Sequence, residues 1–305
     1  MSTPPDVFSP AKLGPVTLRN RVIKAATFEA RTPDALVTDD LIEYHRLPAA
    51  GGVGMTTVAY CAVSQGGRTE GNGLWMRPEA VPGLRRLTEA IHAEGAAVCA
   101  QIGHAGPVAN AKSNKATALA PVRFFNPIGM RFAKKATRED IDDVLEAHAN
   151  AARLAIEAGF DAVEIHLGHN YLASAFLSPL INRRADEFGG SLENRAKVAR
   201  GIVMAVRRAV DNEVAPVAVT AKLNMADGVR AGITNRETMD LAMAEGFQFV
   251  AMARALLAEP DLINRISADG DRHTVKSACT HCNQCMPTVY SRTRCVVTGA
   301  PKPAG

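Results

Sequence analysis

The chain has 305 residues, 47% of them hydrophobic and only 5% aromatic, with acidic and basic residues mixed along its length, which suits one large α/β enzyme domain or one and a half domains. A net charge of +4 without any dense Lys/Arg run leaves no nucleic-acid footprint. No apolar run reaches the roughly 18 residues of a membrane span, and MSTPPDVFSP has neither the basic n-region nor the apolar core of a signal peptide, so a cytoplasmic setting is expected.

Val7 to Asn20 reads as a short hairpin capping a barrel floor, and Arg21 to Thr27 (RVIKAAT) as the first buried strand, with chemistry just past its end. Leu41 to Leu47 forms the core of a short helix, closed by Gly51 and Gly52 before a second strand from Val53 to Tyr60. Pro82 to Glu94 places Leu84, Leu87 and Ile91 at helical spacing with proline near the first turn. Gly95 ends that helix, and Ala96 to Ile102 is the third strand. Cys61 and Cys99 each lie alone in an apolar strand-like segment and read as small buried hydrophobes.

The long stretch from Gly103 to Ala136 carries FFNPIGMRF and several Lys and Arg, and its length predicts a lid or substrate loop. Thr137 caps a helix whose core face is Ile141, Val144, Leu145, His148, Ala152 and Ala155; His148 on that stripe reads as structural. Gly159 breaks it, and the fourth strand begins at Ala162. Ser191 to Val210 is a helix and Pro216 to Leu223 the fifth strand. Thr234 with Glu237 forms a capping box for a helix through Ala244, and Phe247 to Ala253 is the last strand.

Strands and helices alternate throughout, and the strands are apolar without interruption, so the sheet is parallel and covered by helices. Titratable side chains at a strand end select a TIM-type (β/α) barrel over a doubly wound sheet, and GxGxxG is absent. The strand count falls short, with about six readable where such a barrel has eight.

The fourth strand leads into VEIHLGHNYLASAFLSPLINRRADEFGGSLENR, which places His166, His169 and Tyr171 close together. His166 and His169 differ by three, so a regular strand would point them to opposite faces. They converge only if the chain turns after Leu167, and Gly168 and Asn170 permit such a turn. Titratable side chains gathered at a strand end before a loop are candidate catalytic groups of an α/β barrel. A two-histidine metal site and plain polar packing are the bland readings of the same residues.

HxxHxY followed by FLSPxxNxRxDxFGGSxENR resembles the Old Yellow Enzyme family of FMN-dependent ene-reductases, which includes the barrel part of bacterial 2,4-dienoyl-CoA reductases. The family has a small residue after the first His and Gly before the Tyr, where this chain has Leu167 and Asn170. Asn tolerates a left-handed conformation, and Leu167 would narrow the pocket. The resemblance covers Val7 to about Cys295 and implies an FMN-binding barrel at residues 1–265 followed by a Cys-rich tail at 266–305.

On that resemblance Thr27 donates to flavin O4, and Ala25 and Ala26 make backbone contacts near N5. Gln101 in AQIGHAG pairs with the pyrimidine edge, and Lys222 stands near N1 and O2, where a cation favours reduced flavin. The phosphate rests on backbone N–H groups at Gly232, Met252 and Ala253, with Arg254 as its charge partner. NADH or NADPH reduces FMN, which passes hydride to the β-carbon of an enone or enal. His166 and His169 hold the carbonyl oxygen, and Tyr171 supplies the proton.

Resemblance also locates the missing strands. Relatives continue from KLNxxDG (Lys222 to Gly228) through two more βα units before a GGI turn, whereas here Gly232-Ile233-Thr234 follows almost at once, with Ala231 in place of the first Gly. The remaining units close a distorted barrel, pair with a second chain, or leave an open sheet. A non-catalytic barrel remnant with weak or no flavin binding is the competing functional reading.

Cys279, Cys282, Cys285 and Cys295 read C-x2-C-x2-C-x9-C, which suits a [4Fe–4S] cluster, a zinc site or unliganded thiols. The dienoyl-CoA reductases carry a cluster after the barrel, with slightly longer gaps. Their FAD- and NAD(P)H-binding domains have no counterpart in this sequence.

Overall fold

The structure, a computed structural model, describes residues 6–29, 31–126, 130–214, 216–223 and 249–269, and in the tail 275, 277–279, 284–285, 288 and 293–298. Gly232, Cys282 and the Thr234/Glu237 capping box lie outside these residues.

The N-terminal hairpin pairs β1 (Ala11–Leu13) antiparallel with β2 (Val16–Leu18). Next come β3 (Val22–Lys24), α1 (Asp39–Ala50), β4 (Met55–Ala62), α2 (Val81–Ala93) and β5 (Ala97–Gly103). The segment expected as a loop instead holds α3 (Ala111–Asn114) and a small sheet of β6 (Leu119–Ala120), β7 (Phe124–Asn126) and β8 (Arg131–Lys135). Its backbone groups satisfy one another, as where Lys134 N–H donates to Ala118 O at 2.8 Å. Then follow α4 (Arg138–Glu157), β9 (Ala162–Leu167), α5 (Leu172–Leu177), α6 (Leu192–Asp211) and β10 (Ala218–Leu223). The chain returns through β11 (Val250–Met252), α7 (Arg254–Ala258) and α8 (Leu262–Ala268).

Local chemistry sets the helix starts. Thr38 Oγ1 accepts from Leu41 N–H at 3.2 Å at the head of α1, Thr137 and Asp140 cap each other on α4, and Ser191 caps α6. His148, buried on α4, donates from Nδ1 to Val144 O at 2.6 Å, a structural role as expected.

The main sheet is parallel throughout, in the order β10-β9-β5-β4-β3-β11. Spatial order therefore follows chain order from β3 to β10, and β11 comes back beside β3. That is the cyclic order of a (β/α) barrel whose ring is unpaired, among the described residues, between β10 and β11, where the sequence had placed the missing units. Among the described residues each of these two strands has a single pairing neighbour. Leu18 of the hairpin packs with Met55, Cys99, Ala162 and Ala218, and Phe249 beside β11 joins the same cluster. Both ends of the sheet thus reach one apolar floor, so the sheet is curled and the hairpin plugs its lower end. Cys61 and Cys99 are buried within the strands.

Candidate active site

The strand β9 ends at Leu167, and the chain reverses through Gly168–Tyr171, with Tyr171 N–H donating to Gly168 O at 3.1 Å. His169 and Asn170 have φ of +58° and +56°, the two left-handed positions of a type I′ turn. Asn170 takes the conformation expected of it. The second left-handed residue is His169 itself rather than Gly168, an uncommon placement that clusters at functional sites.

The turn brings the two histidines onto each other, with His166 Nε2 3.0 Å from His169 Nδ1. Gly168 N–H donates to His166 Nδ1 at 3.1 Å, so that nitrogen is an acceptor. His166 therefore carries its proton on Nε2 and donates it to His169, whose own proton sits on Nε2. Burial, His169 and Lys222 together push the His166 pKa down to about 3, which keeps this ring neutral.

Tyr171 follows as the N-cap of α5. Its ring lies 4.5 Å from that of His166 and 5.3 Å from that of Tyr60, whose hydroxyl donates to Gly67 O. Burial lifts the Tyr171 phenol to about 12, so it stays protonated across the neutral range.

These groups open onto a cavity of about 500 Å³ whose lining includes Ala26, Thr27, His169, Tyr171, Lys222 and Arg254. They come from the C-terminal ends of β3, β9, β10 and β11, the rim on which α/β barrels carry chemistry. His166 stands directly behind His169, and the Ala25 N–H is taken by Met252 O at 2.8 Å. Met252 is buried, and Ala253 O accepts the Leu257 N–H at 3.1 Å in the first turn of α7. Gln101 is buried, with Nε2 donating to Glu164 at 2.6 Å, and is not among the residues lining the cavity.

The cavity lies within the usual range of about 300–1,000 Å³ for a small-molecule site. Its donor set, a threonine hydroxyl and the cations of Lys222 and Arg254, matches what an anionic, phosphorylated flavin needs, so the residues present fit FMN.

Several groups around the site went unread in the sequence. Glu164 stands opposite Gln101 in the β5–β9 register and shares a strand face with His166; burial raises its pKa. The i, i+2 pairing of Glu164 with His166 was the available signal. Lys24 is fully buried, 3.3 Å from Thr27 Oγ1 and 4.7 Å above the Tyr44 ring, and burial lowers its pKa to about 8. Glu29 is buried beside it and accepts from His45 Nε2 and Ala59 N–H, both at 2.8 Å.

In the tail, Cys279, Cys285 and Cys295 are free thiols, and Cys285 lines the cavity. Among the described residues no group of three or more His, Cys, Asp or Glu is placed to hold a metal ion. No helix among them is long and apolar enough to cross a membrane.

A curled parallel (β/α) sheet carries an imidazole, a phenol and two cations on its C-terminal rim, the arrangement of a barrel enzyme site. Residues 6–248 match the NADH:flavin oxidoreductase / NADH oxidase family, and the chain belongs to that family as an NAD(P)H oxidoreductase of the Old Yellow Enzyme kind. It is 41% identical to a 4,4'-dithiodibutanoate disulfide reductase of Rhodococcus erythropolis, over 97% of this chain and 96% of that one. Their alignment runs over 392 positions, more than the 305 residues present here, so the relative carries segments that this chain lacks. Among solved structures, a 2-naphthoyl-CoA reductase bound to 2-naphthoyl-CoA has a TM-score of 0.83 at 24% identity; the match covers 97% of this chain and 57% of that one. The old yellow enzyme homologue of Zymomonas mobilis has a TM-score of 0.79 at 20% identity, over 99% of this chain and 100% of that one. At these identities both likenesses are of fold alone.

Proposed function

We propose that the chain reduces activated C=C bonds of α,β-unsaturated carbonyl compounds in this cavity, with FMN as its cofactor and NADH or NADPH as the hydride source. One observation carries the reading: a phenol held protonated stands beside an imidazole donor on the cavity wall. Thr27, Lys222 and Arg254 would hold FMN, and the backbone at Ala26 would border it. Bound there, FMN supplies the hydride that the β-carbon receives. His169 Nε2–H binds the carbonyl oxygen and stabilises the negative charge that develops on it. His166 keeps that proton on the outer nitrogen, and Tyr171 Oη gives its proton to the α-carbon.

A second reading shares the site. The Rhodococcus relative is named for a disulfide substrate and matches nearly the full length of both chains, which favours a disulfide as the electron acceptor. Hydride transfer to one sulfur would break the S–S bond and release the other sulfur as a thiolate, which Tyr171 or His169 would protonate.

One anaerobic experiment separates these readings from each other and from a flavin-free remnant. The purified protein should show a flavin spectrum that NADPH bleaches, and a cyclic enone should restore it. Recovery only with a dicarboxylated dialkyl disulfide favours the second reading. A protein that acquires no flavin when FMN is added overturns both. Iron and zinc analysis of the same sample tests whether Cys279, Cys282, Cys285 and Cys295 bind a cluster or zinc.

A further inference from the structure

We propose that a second cavity beside the active site binds the anionic adenosine-phosphate tail of the molecule whose reactive head enters the active site; this rests on the reading just given. The second cavity measures about 640 Å³, and its lining includes Arg68, Trp75 and Arg77 with Gln65, Asp34 and Glu79.

The two cavities share a wall. Thr69 and Glu70 line the active-site cavity, while their neighbours Arg68 and Gly71 line the second. Four residues span at most about 13 Å even when extended, a distance that a diphosphate-linked chain can cross. A head group in the first cavity and its tail in the second can therefore be bound at once.

The second cavity sets two guanidinium groups, Arg68 and Arg77, beside two exposed acidic residues, Asp34 and Glu79. The Arg68 side chain is buried, and its guanidinium donates to the carbonyls of Gln65, Gly71 and Asn114. No carboxylate pairs with it among the described residues. Arg77 lies 4.8 Å from the Trp75 ring centroid and Arg68 5.8 Å from the same centroid, so one indole holds two cations together. Burial chiefly, and after it the nearby Arg77 charge, lowers the Arg68 pKa. The acids in reach are weak competitors. Glu79 is 70% exposed and 3.6 Å from Arg77 Nε, and Asp34 is exposed and meets Arg77 Nη2 through its backbone carbonyl at 3.2 Å.

An anion at this point would relieve the repulsion and gain bidentate hydrogen bonds from guanidinium groups already in place. A nicotinamide dinucleotide phosphate and a coenzyme A thioester both carry such an anion: adenosine with a diphosphate and a further ribose phosphate. They differ in where the ribose phosphate sits.

Trp75 is the chain's single tryptophan, so its fluorescence reports on this cavity directly. The full-length protein is titrated with 2′,5′-ADP, with 3′,5′-ADP and with adenosine, and the flavin absorbance of the same sample is recorded. Both bisphosphates, or one, should change Trp75 emission saturably, and adenosine should not. Arg77→Ala should weaken binding about tenfold or more, and added salt should weaken it in the unaltered protein. Preference for the 2′-isomer assigns the tail to the hydride donor, and preference for the 3′-isomer to a coenzyme A thioester. Arg68 supports three backbone carbonyls, so Arg77→Ala and Arg77→Glu carry the test, with calorimetry as a second readout. No saturable binding, or equal affinity in both variants, overturns the second site and leaves the flavin reading standing. Bisphosphate binding in a protein that takes up no FMN would sink the flavin reading instead.

Discussion

His166 Nε2 lies 3.0 Å from His169 Nδ1, while the Gly168 amide holds the other His166 nitrogen at 3.1 Å. The sequence suggested two equivalent donors to one carbonyl, but this arrangement makes them a chain in which only His169 faces the cavity. His169→Ala should lower kcat/KM for an enone about 100-fold, the usual effect of removing one donor to a developing oxyanion. His166→Ala acts only by loosening the tautomer of His169, so about tenfold is expected, with flavin content unchanged in both variants. Equal losses in the two would show that both imidazoles bind substrate directly.

Tyr171→Phe keeps the ring packed against His166 and Tyr60 and removes only the hydroxyl. Alkene reduction should fall about 100-fold or more, while NADPH still bleaches the flavin at its normal rate. With the phenol near 12, its proton is present below that value and lost only above it. Tyr171 should therefore impose no alkaline limb on the rate between about pH 7 and 10. Stopped-flow measurement of the two half-reactions tests both points, and equal slowing of both would remove Tyr171 as the proton donor.

The parts of this molecule that were legible from the sequence are those set by local pattern. Thr137 and Ser191 announced their helices, and the short stretch after Lys222 marked where the ring is two units short, beside β10 and β11, each of which has a single pairing neighbour among the described residues. Lateral neighbours were not legible. Gln101 faces Glu164 only because β5 and β9 pair in one register, and that register depends on the whole sheet. Strands of two to five residues left no apolar run to find in β6, β7 and β8. The left-handed His169 was invisible because histidine carries no intrinsic bias strong enough to mark it. Lys24 in RVIKAAT was a readable anomaly, a charge inside an apolar strand, whose partners Thr27 and Tyr44 became evident only in the fold.

Three of the four buried histidines among the described residues are enough to make the fold sensitive to acid. Burial is the leading cause in each, lowering His104 to about 3, His148 to about 4 and His166 to about 3. The unfolded chain titrates near 6.5, so below that pH it binds protons that the folded state refuses. Stability is complete above about 6.5 and is lost as pH falls toward 3–4. At pH 5 each histidine should remove about 2 kcal/mol, a large share of a typical stability of 5–15 kcal/mol. Urea midpoints measured from pH 7.5 to 5 should drop steeply, and His148→Gln should flatten the slope. A pH-independent midpoint would mean that these rings take up protons in the folded state.

Arg184 turns the NxRxDxFGG stretch into a latch. Its buried guanidinium donates to Pro121 O and Ala136 O, each at 2.8 Å, and to both carboxylate oxygens of Asp186 at 2.8 and 2.6 Å. The neighbouring Asn182 holds Phe176 O and Phe188 O, both at 2.7 Å, which ties the same loop to the end of α5, the helix that begins beside Tyr171. Lysine presents one compact ammonium and cannot meet four acceptors in this fan. Arg184→Lys should therefore cost about 2–4 kcal/mol, because buried carbonyls lose their donors. Arg184→Met should cost at least as much, since it also removes the cation that lies 5.8 Å from the Phe176 ring centroid and 5.6 Å from that of Phe188. Chemical denaturation at pH 7.5 measures both. Full stability in Arg184→Lys would show that water or other donors replace the guanidinium and that the fork itself is dispensable.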